Sequence, residues 1–139
     1  MDYYEDTAFR MYKDLTILYE NKRWFNCCYL SGYVVECYEK LLLEKGENLS
    51  ANDIGRIYRH KLKSMNAELE RISELGTGYS NYCLDLSLVC NTILKKWSPF
   101  NRYEKNQYVW GKKEMADCFK QEVDTVFQQI KNMKVDGVI

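Results

Sequence analysis

The chain has little of what marks an exported, membrane-spanning or strongly basic protein. Its 139 residues include one proline and one histidine, and twenty Lys and Arg balance twenty Asp and Glu. A net charge of zero removes the general attraction for nucleic acid or anionic membrane that a basic protein has. No apolar run approaches the roughly 20 residues of a membrane span. The acidic start, MDYYEDTAF, is neither a signal nor a transit peptide, so we expect a cytoplasmic protein.

The spacing of cysteines that binds zinc is also missing. Six cysteines occur, at Cys27, Cys28, Cys37, Cys83, Cys90 and Cys118, and no two of them form a CxxC pair. They fall within helical patterns in a chain without an export signal, which favours buried free thiols over three disulfides. We therefore expect no metal site and no cofactor.

The segment 23–45 is the most apolar part of the chain and the one that the others are expected to surround. Apolar or small residues recur along it at spacings of three and four: Cys27, Leu30, Ser31, Val34, Cys37, Tyr38, Leu41 and Leu42. A helix with so broad an apolar face needs neighbours on several sides. The remaining strip holds Tyr29, Gly32, Tyr33, Glu36 and Lys40. Within it Glu36 precedes Lys40 by four residues, the favourable order for a helical ion pair.

The same periodicity predicts helices over about 5–20, 60–75, 79–97 and 111–133, with a short helical turn near Ile54. Gly46 is the expected cap of the central helix, and Ser98-Pro99 is expected to end the helix over 79–97. We interpret 101–108 as a connection and 134–139 as a fraying tail. Short links between these segments favour one all-α domain over 1–139, an antiparallel up-and-down bundle of four long helices plus a shorter one.

Three local patterns follow one another along the chain. The central helix carries Gly32-x3-Glu36-x3-Lys40, and the next long helix opens with His60-x-Leu62-x2-Met65. Arg102-Tyr103 stands ahead of the last helix. Together, in this order and spacing, the three patterns resemble the HEPN family of small helical domains, and they cover most of the chain.

The resemblance implies a helical bundle that usually dimerises, and it implies one of two functional types. Ribonucleases of the family, often toxins or defence effectors, carry an Arg-x4-6-His motif near the last helix, and two subunits bring paired Arg and His to a shared RNA cleft. The other type lacks this histidine and commonly works beside a nucleotidyltransferase. No histidine follows Arg102 at any of the required positions. Arg56-x3-His60 is one residue too short and lies in the wrong segment.

The preferred hypothesis is a non-catalytic module, a homodimer that binds a nucleotidyltransferase partner or a nucleotide within a prokaryotic toxin–antitoxin or defence-type system. The alternative is a metal-independent ribonuclease whose variant site uses Arg102, Glu36 and His60. RNA cleavage needs a group that titrates near neutral pH and a cation for the phosphate, and histidine with arginine supplies both.

Each candidate residue also has a structural interpretation. Arg56, Arg59, His60 and Lys61 form, with Lys63, the densest basic cluster, which is either a phosphate or RNA patch or a solvated charged turn.

Among the other candidates, His60 either hydrogen-bonds at the start of its helix or takes part in catalysis. Arg102 either holds a phosphate or pairs with Glu36, inside the bundle or across a dimer seam, and Tyr103 is expected to pack beside it. Tyr29 and Tyr33, off the main apolar stripe, are the candidate partner surface because tyrosine is enriched at interfaces.

Overall fold

The computed structural model describes residues 3–76, 78–103 and 110–139, and within these ranges every regular element is helical and no strand occurs. The elements in chain order are α1 (Tyr4–Glu20), α2 (Trp24–Glu47), α3 (Ala51–Tyr58), α4 (Leu62–Glu74), a 3-10 helix (Ser80–Tyr82), α5 (Leu86–Val89), α6 (Asn91–Lys96), a second 3-10 helix (Pro99–Tyr103) and α7 (Lys113–Val135). The predicted all-α class is confirmed. Within the same ranges, no helix combines the length and the apolar character that a bilayer-spanning segment needs.

Helix α2 is the centre of the molecule, as its composition predicts. It contacts α1, α3, α4, α7 and the 3-10 helix Pro99–Tyr103. Every residue from Val34 to Leu43 is buried, so this part of α2 is covered on all sides. Because the covered stretch includes three charged residues, Glu36, Glu39 and Lys40, the core contains ionisable groups that must be paired or neutral.

Helix α1 packs antiparallel to α7, and its contacts run the length of both helices. Tyr12 stacks on Phe127 with ring centroids 3.8 Å apart, while near the other end of α1 the Tyr19 hydroxyl donates to Asp117 Oδ1. The turn between α1 and α2 places Lys22 at φ 60°. Two backbone hydrogen bonds, from Lys22 to the Tyr19 carbonyl and from Arg23 to the Leu18 carbonyl, close α1 with a Schellman motif.

The C-terminal residues are ordered, which corrects the prediction of a fraying tail over 134–139. Helix α7 continues to Val135, and Gly137 at φ 74° ends it with a second Schellman motif, in which Val138 N–H donates to the Met133 carbonyl. Val138 and Ile139 then pack against the core. The apolar pair following a glycine thus anchors the end of the chain to the bundle.

The predicted helix over 79–97 is wrong, because the segment is broken into the 3-10 helix, α5 and α6. The Tyr38 hydroxyl donates to the Tyr82 carbonyl at 2.6 Å and accepts from Leu84 N–H at 2.7 Å. These two hydrogen bonds hold Cys83 in an extended backbone conformation, which interrupts the helix. Farther on, the Glu122 carboxylate accepts from the N–H groups of Thr92 and Ile93. This side chain from α7 caps the start of α6. The long helices of the described residues are α1, α2 and α7, with α4 intermediate in length, so the predicted arrangement of four long helices is not found.

Two further predictions along the helices are corrected. Gly46 does not cap α2, which continues to Glu47 and ends at Asn48 in the left-handed conformation. A β-carbon on Gly46 would lie 2.7 Å from Ile72 Cδ1, so the glycine allows α4 to approach closely. Cys118, placed by periodicity on the buried side of α7, is exposed because the buried stripe passes through its neighbour Phe119.

Candidate functional site

The polar strip of α2 is covered by the segment that follows α6. Trp97 lies directly on Gly32, where an added β-carbon would come within 2.1 Å of the indole ring. The indole Nε1 donates to the Tyr29 carbonyl at 2.9 Å, and Tyr33 meets the ring edge-on at a centroid distance of 5.0 Å. Only glycine at position 32 leaves room for this packing. Gly32 therefore has a structural reason to stand in the strip.

Glu36 is the centre of a buried ionic group. Its Oε1 lies 2.6 Å from His60 Nδ1, and its Oε2 lies 3.6 Å from Lys40 Nζ. Glu36 and Lys40 are buried, whereas the His60 side chain is 48% exposed. Burial raises the pKa of Glu36, and the charges and hydrogen bonds of Lys40 and His60 oppose that rise. The predicted Glu36–Lys40 ion pair is confirmed, and His60 bonds to α2 rather than to its own helix start.

Glu39, three residues after Glu36, is buried without a partner. Its side chain is fully covered, and neither carboxylate oxygen has a hydrogen-bond partner in the part of the chain that the structure describes. Burial raises its pKa well above the ordinary value, the charge of Glu36 raises it further, and Lys40 opposes both. The protein therefore favours the neutral acid at this position. Sequence reasoning missed Glu39, although a carboxylate inside the run VVECYEKLLL was the available signal.

Arg102 lies at the other end of the strip and does not pair with Glu36 inside the bundle, which corrects that prediction. Its guanidinium donates to the Tyr29 hydroxyl at 2.9 Å and to the Tyr103 hydroxyl at 2.6 Å. The Tyr29 and Tyr33 hydroxyls are 3.1 Å apart, and the Tyr33 ring meets the His60 ring edge-on at 5.9 Å. The strip thus carries one continuous series of contacts from Arg102 through both tyrosines to His60, without a direct Arg102–His60 contact.

The predicted basic cluster divides between different surroundings. Arg56 pairs with Asp53 at 2.9 Å on the exposed side of α3. Arg59 and His60 line a cleft against α1, and they also border a groove of about 470 Å³ that Lys61, Lys63 and Phe100 line. Leu62 of the same motif is buried in the core. Arg56 therefore stands apart from the predicted cluster, whereas Arg59, His60, Lys61 and Lys63 border the same groove.

The cleft beside Glu36 is an open space of about 630 Å³ between α1, α2 and the link from α3 to α4. Arg10 lines it from α1, Lys40 from α2 and Arg59 from the link. Sequence reasoning did not single out Arg10, because a basic residue on the polar face of an amphipathic helix resembles any solvated side chain. Only the fold shows that the arginine faces the same space as Lys40.

The site can hold an anion and can orient an imidazole, but it does not bring Arg102 into direct contact with His60. Residues 104–109, which include part of the predicted connection 101–108, lie outside the described residues. No group of three or more His, Cys, Asp or Glu side chains in the described ranges is arranged to hold a metal ion. Comparison with known proteins finds no family model, no curated protein and no solved structure that matches the chain.

Proposed function

We propose that this chain is a HEPN-like interaction module, a cytoplasmic homodimer that associates with nucleotides and works beside a nucleotidyltransferase in a toxin–antitoxin or defence-type system. The observation that carries the proposal is the internal pairing of the strip. Glu36 holds His60, and two tyrosine hydroxyls hold Arg102. The Arg102 guanidinium is bonded to tyrosines and has no direct contact with His60, so the arrangement supports a surface role better than joint action of these two residues on a scissile phosphate.

The surface around Arg102 has the composition of a protein interface. Phe100 and Tyr103 of the 3-10 helix Pro99–Tyr103 are 76% and 71% exposed. The Arg102 guanidinium lies 4.6 Å from the centre of the Tyr103 ring. Tyrosine and arginine dominate the energetic centres of interfaces, and exposed aromatic rings gain most from being covered. We place the dimer seam on this surface.

Sedimentation velocity over a range of protein concentrations tests the seam. The proposal expects a reversible dimer that Tyr103→Ala and Phe100→Ala weaken about tenfold or more, because each removes an aromatic contact of roughly 1.5–3 kcal/mol. Leu88→Ala is the matched control, since Leu88 is 77% exposed on α5, outside the proposed seam. A monomer at every concentration, or equal weakening by all three changes, would contradict the assignment.

The partner is tested separately, by purifying the tagged protein from its native host and identifying bound proteins by mass spectrometry. We expect a nucleotidyltransferase in the wild-type sample. Arg102 is exposed, so Arg102→Ala should leave the helices intact. It removes the guanidinium from the proposed dimer seam and serves as the comparison variant. Recovery of the protein without any nucleotidyltransferase counts against the partner and leaves the dimer measurement unaffected.

A metal-independent ribonuclease is the second candidate, and the 2.6 Å contact between Glu36 and His60 favours it. A carboxylate that orients an imidazole beside an open cleft is a general-base arrangement. Incubation with structured RNA in the presence of a chelator tests this activity. Cleavage that is lost in both His60→Gln and Arg102→Ala would replace the interaction proposal, whereas intact RNA with all proteins would exclude the variant nuclease site.

A further inference from the structure

The cleft between α1, α2 and the α3–α4 link carries a small excess of positive charge. Three cations line it, Arg10, Lys40 and Arg59, against two carboxylates, Asp6 and Glu36. Each cation comes from a different element. Their convergence therefore depends on the fold rather than on a local run of basic residues.

Two of these cations have no carboxylate partner. Among the described residues, no carboxylate oxygen lies within 4 Å of the Arg10 or the Arg59 guanidinium. The other basic residue of this region, Arg56, differs in this respect because Asp53 lies 2.9 Å from it. Arg59 is also fixed at the backbone, where its N–H donates to the Gly55 carbonyl at 3.0 Å and closes α3. A guanidinium on an anchored backbone loses less entropy when it binds a ligand.

Lys40 is the buried member of the set. It is 5% exposed, and its ammonium lies 5.3 Å from the centre of the Tyr4 ring. The nearest carboxylate oxygen, Glu36 Oε2, is 3.6 Å from Nζ, beyond the roughly 2.7–2.9 Å of a close charge-assisted hydrogen bond. Because Glu36 also bonds to His60, its charge is shared between two donors. Lys40 therefore retains hydrogen-bonding capacity toward the cleft.

We propose that this cleft binds the phosphate group of a small phosphomonoester through Arg10, Lys40 and Arg59. Guanidinium forks match the oxygens of a phosphate, and a lysine adds a point charge. A volume of about 630 Å³ lies in the range of sites for small organic ligands. Tyr3, exposed at the rim of the cleft, offers a ring face to the organic part. The site lies within one chain and depends on neither a dimer nor a partner. The inference rests on the proposed function in one respect, since it gives the proposed nucleotide association a phosphate site.

Isothermal titration calorimetry of the full chain with phenyl phosphate and with inorganic phosphate tests the site. We expect both to bind, with phenyl phosphate tighter because its ring can pack on Tyr3. Arg10→Gln and Arg59→Gln should each weaken phenyl phosphate about tenfold or more, since a hydrogen bond to a charged group is lost. Arg56→Gln, which removes the same charge from a paired residue outside the cleft, should change the affinity less than twofold.

Three outcomes would overturn the proposal. The first is an absence of saturable binding by either compound. The second is equal affinity for the two compounds, which would assign the site to free phosphate rather than to an ester. The third is weakening by Arg56→Gln as large as that by Arg10→Gln, which would reduce the effect to net charge. Because Arg10 and Arg59 are exposed, their variants should fold, and dimerisation is measured independently, so failure here is distinguishable from failure of the proposed function.

Discussion

Two polar networks in this protein use the same kinds of group in opposite surroundings. The first network lies at the contact between α1 and α7. There Tyr12 donates to Asp124, which also accepts from Lys120, and Tyr19 donates to Asp117, which also accepts from Lys113. These groups are wholly or partly exposed. Inside the bundle, Glu36 and Lys40 form the same carboxylate–ammonium pairing, with both side chains buried.

The difference shows why a list of contacts does not rank their importance. Water competes for each group at the α1–α7 contact and can replace a lost partner, so an exposed ion pair contributes little to the free energy of unfolding. Around Glu36 and Lys40, which are 6% and 5% exposed, little water can replace a lost partner, so a group deprived of its partner keeps most of the penalty of burial. The buried network is therefore expected to dominate the response to substitution even though it contains fewer contacts.

Glu36→Gln is expected to give the largest effect, because it leaves the Lys40 ammonium buried without a carboxylate. Loss of one partner of a buried pair costs about 3–5 kcal/mol, and we expect the free energy of unfolding in urea to fall by about that amount. The double variant Glu36→Leu with Lys40→Met removes both charges and should recover most of the loss. An unfolding free energy of Glu36→Gln within about 1 kcal/mol of wild type would mean that the pair behaves like an exposed one.

Glu39→Gln should change the pH dependence of stability. Because the pKa of Glu39 is raised in the folded protein above the ordinary value of 4.5, the folded state keeps a proton that the unfolded state releases. Stability from this group is fully present below pH 4.5 and is lost as the pH rises toward the folded pKa, by about 1.4 kcal/mol for each pH unit.

The glutamine variant cannot ionise, so its stability relative to wild type should grow as the pH rises from 4.5 toward the raised pKa of Glu39. Thermal melts of both proteins across this range measure the difference. Parallel pH curves for wild type and variant would show that Glu39 ionises at its ordinary pKa and that water or a partner reaches it.

Tyr12→Phe is the intermediate case, since it removes the hydroxyl that bonds to Asp124 at 2.6 Å and keeps the ring stacked on Phe127. We expect a loss of about 1 kcal/mol in the free energy of unfolding, the usual net contribution of one hydrogen bond. Tyr12→Leu, which also removes the stacked ring, is the control and should lose more. If the two variants unfold at the same urea concentration, the stacked ring contributes nothing to stability and the hydroxyl accounts for the whole loss.

Lys113→Ala should give the smallest effect. Its ammonium lies 2.8 Å from Asp117, but the Lys113 side chain is exposed, and Asp117 keeps its bond from Tyr19. We expect a melting temperature equal to that of wild type within experimental error, at low and at high salt. A salt-dependent drop in melting temperature would show that the α1–α7 network contributes more to stability than its exposure indicates.

The long helices could be predicted because their boundaries depend on neighbouring residues. The ranges 5–20, 23–45 and 111–133 correspond to α1, α2 and α7 with ends that differ by one or two residues, since the apolar period and the polar turns that bound it lie within each segment. The break after residue 82 could not be predicted. It depends on Tyr38, 46 residues from the Leu84 N–H that it accepts from, and on Glu122, 30 residues from Thr92.

The composition of the site could be predicted more fully than its pairing. Periodicity placed Tyr29, Tyr33, Glu36 and Lys40 on one strip, and the Glu36–Lys40 spacing is local. Which residue covers the strip, and that Arg102 bonds to tyrosines instead of Glu36, depends on how the segment after α6 folds back. Arg10 was missed for the same reason, because the cleft is not encoded in a short window. Glu39 differs, since its position inside the run VVECYEKLLL is a local signal.

The thiols differ in burial, so their reactivity reports how far the bundle has unfolded. Cys27, Cys28, Cys37 and Cys90 are buried, whereas Cys118 is exposed. Burial raises the pKa of Cys27 to about 11 and that of Cys37 to about 12, and the thiolate is the form that reacts. An alkylating reagent should therefore label Cys118 first and the half-buried Cys83 next in the folded chain. The mass increments from Cys27, Cys28 and Cys37 should follow only as α2 leaves its neighbours. The rate of those increments, followed by intact-mass spectrometry, would report the rate at which the central helix unfolds without any engineered cysteine.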